Sequence, residues 1–167
     1  MKTDNDIPTK TRLKELFIDY LVILAYLFVL LLINLFIYWV MIGHVPEFNQ
    51  WQSQFIATFT SVIPIVLIFS YLDYKGGSIG KKRSGLYLYY EKLTYGNSLL
   101  RNMIKFLPWQ LGHSGVIRGI YTDFDAWSII LTNGSLLLLV IMLGMGLFRK
   151  DKRHVGDLLA GSQVQIK

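Results

Sequence analysis

Residues Leu16 to Ile42, LFIDYLVILAYLFVLLLINLFIYWVMI, decide the architecture, because only Asp19 and Asn34 interrupt an otherwise apolar run. At ~1.5 Å rise per residue the run exceeds a ~30 Å hydrocarbon layer, so it reads as a membrane-crossing helix with length to spare for tilt. A secretory signal does not fit: its apolar region would be only ~7–15 residues long and followed by a small-residue cleavage site. Composition agrees, with 53% hydrophobic against 17% charged residues and a mean hydropathy of +0.41. The apolar residues gather in runs, which a soluble core of this size does not need. With no Cys, the chain has no disulfide framework, thiolate metal site or cysteine nucleophile.

A second run, about Phe55 to Leu72, carries Pro64, which removes a backbone donor and crowds the carbonyl of Thr60. A kink is expected there, with the freed carbonyl served by Thr58, Thr60, Ser61 or a water. A third, about Trp127 to Phe148, places Ser128, Thr132 and Ser135 at helical spacing along one side, a pattern of close helix packing. The connection from Gly43 to Trp51 has no Lys or Arg, whereas Lys2, Lys10, Arg12 and Lys14 precede the first run, and Lys75, Lys81, Lys82, Arg83 and Lys92 follow the second. That asymmetry puts the amino terminus and the Gly-rich Asp73 to Gly85 loop in the cytoplasm. Arg149, Lys150, Lys152 and Arg153 also belong inside, so a fourth membrane element is required. It is sought in Leu99 to Ile120, with Trp109, Tyr121, Phe124 and Trp127 at the interfaces of its ends. The expectation is an all-α membrane protein. It is a small bundle of three clear transmembrane helices plus a short, kinked fourth crossing or re-entrant helix. Spans fall at about 16–42, 55–73, 101–120 and 127–148, between a disordered cytoplasmic tail at 1–10 and a basic cytoplasmic tail at 149–167.

The chemistry centres on Asp19, about one turn inside the first run, where an ionisable group is costly and is by default a functional-site hypothesis. It reads either as a proton or cation site or as a wetted interfacial carboxylate with a structural basic partner. Arg12 lies seven residues earlier on nearly the same helix face. Asn34 is read as interhelical glue and Asp73 as a solvated helix end. Gly77-Ser78-Ile79-Gly80-Lys81 lacks the residues of a phosphate-binding loop and reads as a tight turn or as backbone against headgroups. His44, His113 and His154 have no metal-ligand spacing, and no nucleophile elbow or paired carboxylates are seen, so no enzyme, cofactor or metal is expected. The net charge of +6 sits beside membrane ends, pointing to anionic headgroups of the bilayer and not to nucleic acid. Past the last run the chain turns apolar after Asp157, which is placed to cap a short helix or to pair with a cytoplasmic Arg.

Taken together, Arg12 with Ile18-Asp19, Gly77-Ser78-Ile79-Gly80-Lys81, Gly85-Leu86, Arg101-Asn102, and Arg153-His154 with Asp157-Leu158-Leu159-Ala160-Gly161 resemble the RDD family of membrane proteins over nearly the whole chain. The family is named for one Arg and two Asp, matched here by Arg12, Asp19 and Asp157. The resemblance implies a multi-pass protein of the cell membrane with two readings. As a cation/proton transporter, Asp19 would exchange a proton for a monovalent cation, Arg12 would tune it, and Asp157 would form an inner gate. As a scaffold or accessory subunit, the same charges would lock loop and tail onto the bundle for a second copy or a membrane partner. In either case Arg12, Asp19 and Asp157 are expected in one cluster, with the Arg12 fork serving both carboxylates.

Overall fold

The computed structural model describes residues 5–167, so Lys2 and the start of the expected tail lie outside the described residues. The first apolar run forms α1, Thr9–Leu35, and continues as a π-helical segment, Phe36–Ile42, that ends at Gly43 with φ 84°. The second run is α2, Gln50–Ala57, a π-helical turn at Thr58–Val62, and α3, Ile63–Tyr74. Asn49 and Gln52 close a capping box at its start. The π turn sits just before Pro64, where a donor to the Thr60 carbonyl is missing. The replacement is the Tyr26 hydroxyl of α1, 2.5 Å from that carbonyl oxygen. The Thr60 and Ser61 hydroxyls bond instead to carbonyls four residues earlier. Backbone irregularity inside the bundle is thus satisfied by a neighbouring helix.

Next come α4, Ile79–Arg83, β1, Leu86–Tyr90, and α5, Tyr95–Thr122. The fourth element is therefore one continuous 28-residue helix, longer at both ends than 101–120, with Pro108 inside it. At one end Ser98 donates to the Ser70 carbonyl at 2.7 Å. At the other the Tyr121 hydroxyl meets Ser53 and the Phe48 carbonyl. So α5 runs the full length of the bundle, antiparallel to α3. Trp109 lies mid-helix, packed against the core and donating to His113 at 2.7 Å, not at an interface. Asn34 bonds within its own helix, to the Leu30 carbonyl, and not across helices.

The last long helix, α6, Ala126–Phe148, lies against α5. Gly112 and Gly115 of α5 face Ser135 and Thr132, so closely that a Cβ at position 115 would fall 2.4 Å from the Thr132 hydroxyl. Ser135 also donates to the Pro108 carbonyl at 2.6 Å. Small residues let the two backbones approach, as the Ser/Thr stripe implied. The Phe69 and Phe106 rings meet edge to face between α3 and α5, in a core with Val62, Ile65 and Val66.

After α6 the chain is not a loose basic tail. It forms α7, Val155–Leu159, and β2, Ser162–Ile166, which pairs antiparallel with β1 from Leu86↔Ile166 to Tyr90↔Ser162. This hairpin-like sheet has its own core of Leu86, Leu88, Tyr90, Ala160 and Val164, with Ile7 packed into it. Asn5 donates to the Lys150 and Val164 carbonyls, so residues 5–7 are docked where a disordered tail was expected. Both ends of the described chain meet at the basic end of the bundle.

Candidate functional site: a buried charge network

The basic end is organised by α1, whose first turns present Arg12, Glu15 and Asp19 on one buried face. Asp19 does not face an open cavity alone. Its carboxylate accepts from the Ser78 hydroxyl at 2.6 Å and from the Gly80 amide at 2.8 Å, so it clasps the start of α4. Gly80 makes this possible: a Cβ there would lie 2.3 Å from the Glu15 carbonyl and 2.6 Å from Asp19. Ser78 also caps α4 through the Lys81 amide. The Gly-rich loop is thereby pressed against the α1 backbone.

Lys81, 1% exposed, joins α4 to two helices, with Nζ 3.2 Å from Glu15 and 3.4 Å from Asp73. Burial opposes its charge, but Asp73 and Glu15 outweigh that, and its pKa is raised. Arg12 pairs with Glu15 at 2.5 Å. Arg101, on α5, carries the role that Arg12 was expected to play. It donates to Asp73 at 2.5 Å and to Asp157 at 2.6 Å, its fork joining α3, α5 and α7. Asn102 adds a bond to Asp73 at 3.0 Å. Asp73, fully buried, is the hub of the network and not a solvated helix end.

At the tail, His154 and Asp157 form a reciprocal capping box on α7, and Ser162 donates to Asp157 at 2.9 Å. Burial works against the Asp157 carboxylate, yet the Arg101 guanidinium holds its pKa below the usual carboxylate range. Burial pushes His154 down to about 3, against the pull of Asp157 and helped by Arg101. Its Nε2 lies 3.2 Å from Arg101 Nη2 and 3.3 Å from Asp157 Oδ2. Arg153 donates to the Ser162 and Asp157 carbonyls, and Gly156 lets α7 sit against α5, where a Cβ would come 2.7 Å from the Arg101 carbonyl. Gly77 and Gly161, both with positive φ, form the turns leading into α4 and β2.

Of the residues singled out by sequence, Arg12, Asp19, Asp157, Lys81, Arg101 and His154 all belong to one connected network. Arg12 does not contact Asp157; it reaches it through Glu15, Lys81, Asp73 and Arg101. The residues missed were Glu15 and Asp73. Glu15 was legible, since it lies three residues after Arg12 and four before Asp19, on the same helix face. Asp73 carried no local signal: its partners lie 8 and 28 residues on, and only the tertiary fold joins them.

Three helices long and apolar enough to cross a membrane, packed with α5 around a charge network at one end, define a multi-pass membrane protein. The sequence profile of the RDD family matches residues 9–161, and the chain belongs to that family. No curated protein and no solved structure matches it.

Proposed function

We propose that the protein is a non-catalytic membrane scaffold or accessory subunit, in which the charge network anchors a small platform of α4, β1, α7 and β2 to the helix bundle. The observation that carries this reading is that every carboxylate of the network is engaged within the protein. Glu15, Asp73 and Asp157 are ion-paired, and Asp19 is held by a hydroxyl and an amide. For Asp19 to exchange a proton for a cation it would have to release α4 in each cycle. The excess of Lys and Arg at the basic end supports a cytoplasmic position for it in a cell-membrane protein. Among the described residues the opposite end has only Arg118, paired with Asp125.

Reporter fusions after Lys10 and Arg153 are expected to read cytoplasmic, and one at Glu47 the opposite side. In liposomes, the purified protein is expected to give no proton movement above empty vesicles on addition of sodium, potassium or lithium. A photo-crosslinker at Tyr89, exposed on β1, is expected to trap one defined partner or second copy in native membranes. Cation-coupled flux that Asp19→Asn abolishes while leaving the protein folded would overturn the scaffold reading in favour of cation/proton transport.

A further inference from the structure

Although α1 is clasped to α4, it makes little direct contact with α5 or α6. Between them lies a cavity of about 530 Å³, well within the roughly 300–1,000 Å³ of ligand sites. Its wall on α1 runs from Leu16 to Leu27, about three helical turns and apolar apart from Asp19 near one end, and on α6 it is formed by Leu139, Met142 and Leu143, about one apolar turn. Tyr20, Leu24, Leu139 and Leu143 each remain over 40% exposed, so the cavity opens sideways to the surroundings of the bundle. In a membrane protein those surroundings are acyl chains.

The end of the cavity nearest the network is polar, and its cations are not fully matched. Lys105 forms no hydrogen bond or ion pair among the described residues. Its ammonium instead stands over the Phe69 and Phe106 rings, at 4.5 and 5.1 Å. Arg12 is 4% exposed, and its Nε is buried without a hydrogen-bond partner, although the guanidinium pairs with Glu15 elsewhere. Leaving a buried guanidinium donor unserved is costly, which makes it a second, independent pointer to an absent acceptor. The one carboxylate on the cavity wall among the described residues, Asp19, has its oxygens taken by Ser78 and Gly80.

We infer that this cavity binds one anionic glycerophospholipid, its phosphate between Arg12 and Lys105 and an acyl chain along the α1 and α6 walls. The chemistry is a phosphodiester on a long apolar body. A basic head pocket at the boundary with an apolar slot leading toward the bilayer centre fits that shape. A soluble anion would use the first part and leave the second empty. The site shares Arg12 with the charge network, but neither Lys105 nor the slot belongs to the clasp, so a failure of lipid binding in Lys105→Gln is distinguishable from a failure of the scaffold reading.

The test uses the full chain purified in a neutral detergent and titrated with phosphatidylglycerol, phosphatidylcholine or inorganic phosphate, read by native mass spectrometry and thermal unfolding. Phosphatidylglycerol is expected to be retained and to raise the unfolding midpoint, the other two not. Lys105→Gln is expected to weaken retention about tenfold, or ~1.4 kcal/mol. It removes no ion pair, so the variant keeps the network. Leu143→Trp, which fills the slot, is expected to reduce retention without touching a charge; if that variant fails to fold, Lys105→Gln decides alone. Equal retention of the two lipids, or unchanged retention in Lys105→Gln, overturns the proposal. Stabilisation by inorganic phosphate alone also overturns it, by making this a free-anion site.

Discussion

The two ends of the bundle are held by opposite means. At the basic end, Arg12, Glu15, Asp19, Asp73, Lys81, Arg101 and Asp157 are each no more than 4% exposed, while long stretches of Leu, Ile and Phe on α1 and α6 face outward. At the far end, Arg118 and Asp125 form a pair that remains about a third exposed, and helix contact rests on Gly and Ser surfaces. Along α1 and α6 the usual arrangement of soluble proteins is inverted. Apolar side chains that face an apolar solvent gain little by packing together, so where α1 meets its neighbours at the basic end, specificity comes from charge and hydrogen bonding. The consequence is that a lost charge should matter greatly at one end and little at the other.

The largest effect is expected at Arg101, whose fork joins α5 to both α3 and α7 through two short ion pairs. Arg101→Gln leaves Asp73 and Asp157 short of their shared cation. Breaking a buried pair in this way costs roughly 3–5 kcal/mol. Little folded protein should survive size-exclusion chromatography in detergent. Recovery close to wild type would mean that the network is decoration on an apolar bundle. Arg12→Gln is expected to cost less, since Glu15 keeps Lys81.

Much of this was legible in the chain, and the limits have physical causes. The long runs gave three helices because length and hydropathy are local properties, and the need for a fourth element followed from where Lys and Arg fall. The extent of α5 was underestimated because Lys105, Pro108, Gln110 and His113 break its apolar pattern. Gln110 and His113 face protein: Gln110 bonds to Thr58 and His113 accepts from Trp109. The two-stranded sheet was missed because β1 and β2 are five residues each and lie 72 residues apart, so neither signals its partner. The cluster itself was anticipated, but its pairing was not. Arg12 and Arg101 look alike in sequence, and only packing decides which fork reaches Asp157.

A smaller but sharper test lies at Gly80, where the obstacle is space and not charge. Gly80→Ala sets a methyl group against the Glu15 carbonyl and the Asp19 carboxylate, and backbone cannot move aside as a flexible side chain would. Overpacking of this kind costs typically 1–3 kcal/mol. The thermal midpoint should fall, and hydrogen exchange should rise in residues 78–83 before it rises in α5 or α6. Uniform loosening would show that the loop is not a separate clasp.

Acid should loosen the platform by a graded amount. His154 has a folded-state pKa of about 3 against an ordinary 6.5, so the unfolded chain binds the extra proton between those values. Stability is therefore fully present above about pH 6.5 and declines as pH falls toward 3. The slope is at most ~1.4 kcal/mol per pH unit for one group. Asp157, with its pKa depressed, adds a further loss as pH drops below the ordinary carboxylate value of 3.8. Hydrogen exchange of residues 155–166, followed from pH 7 to 4.5, isolates the first effect. His154→Asn keeps a helix-capping side chain without the titration, and should flatten the profile over that range.

The smallest effect is expected at the far end, and it completes the comparison because the chemistry there is nominally the same. Arg118 holds Asp125 through three hydrogen bonds, the shortest 2.6 Å, a better geometry than several contacts in the buried network. Geometry alone would rank it among the strongest pairs in the molecule. Its surroundings argue otherwise, since water and ions screen an exposed pair and both side chains lose freedom in forming it. Asp125 also keeps its own task without Arg118, capping α6 through the Ser128 amide at 2.9 Å. Arg118→Gln should therefore leave the thermal midpoint unchanged within error, whereas Asp125→Ala, which removes the cap as well, should lower it. If Arg118→Gln proved as damaging as Arg101→Gln, the two ends would be held alike, and burial would not be what gives the basic end its strength.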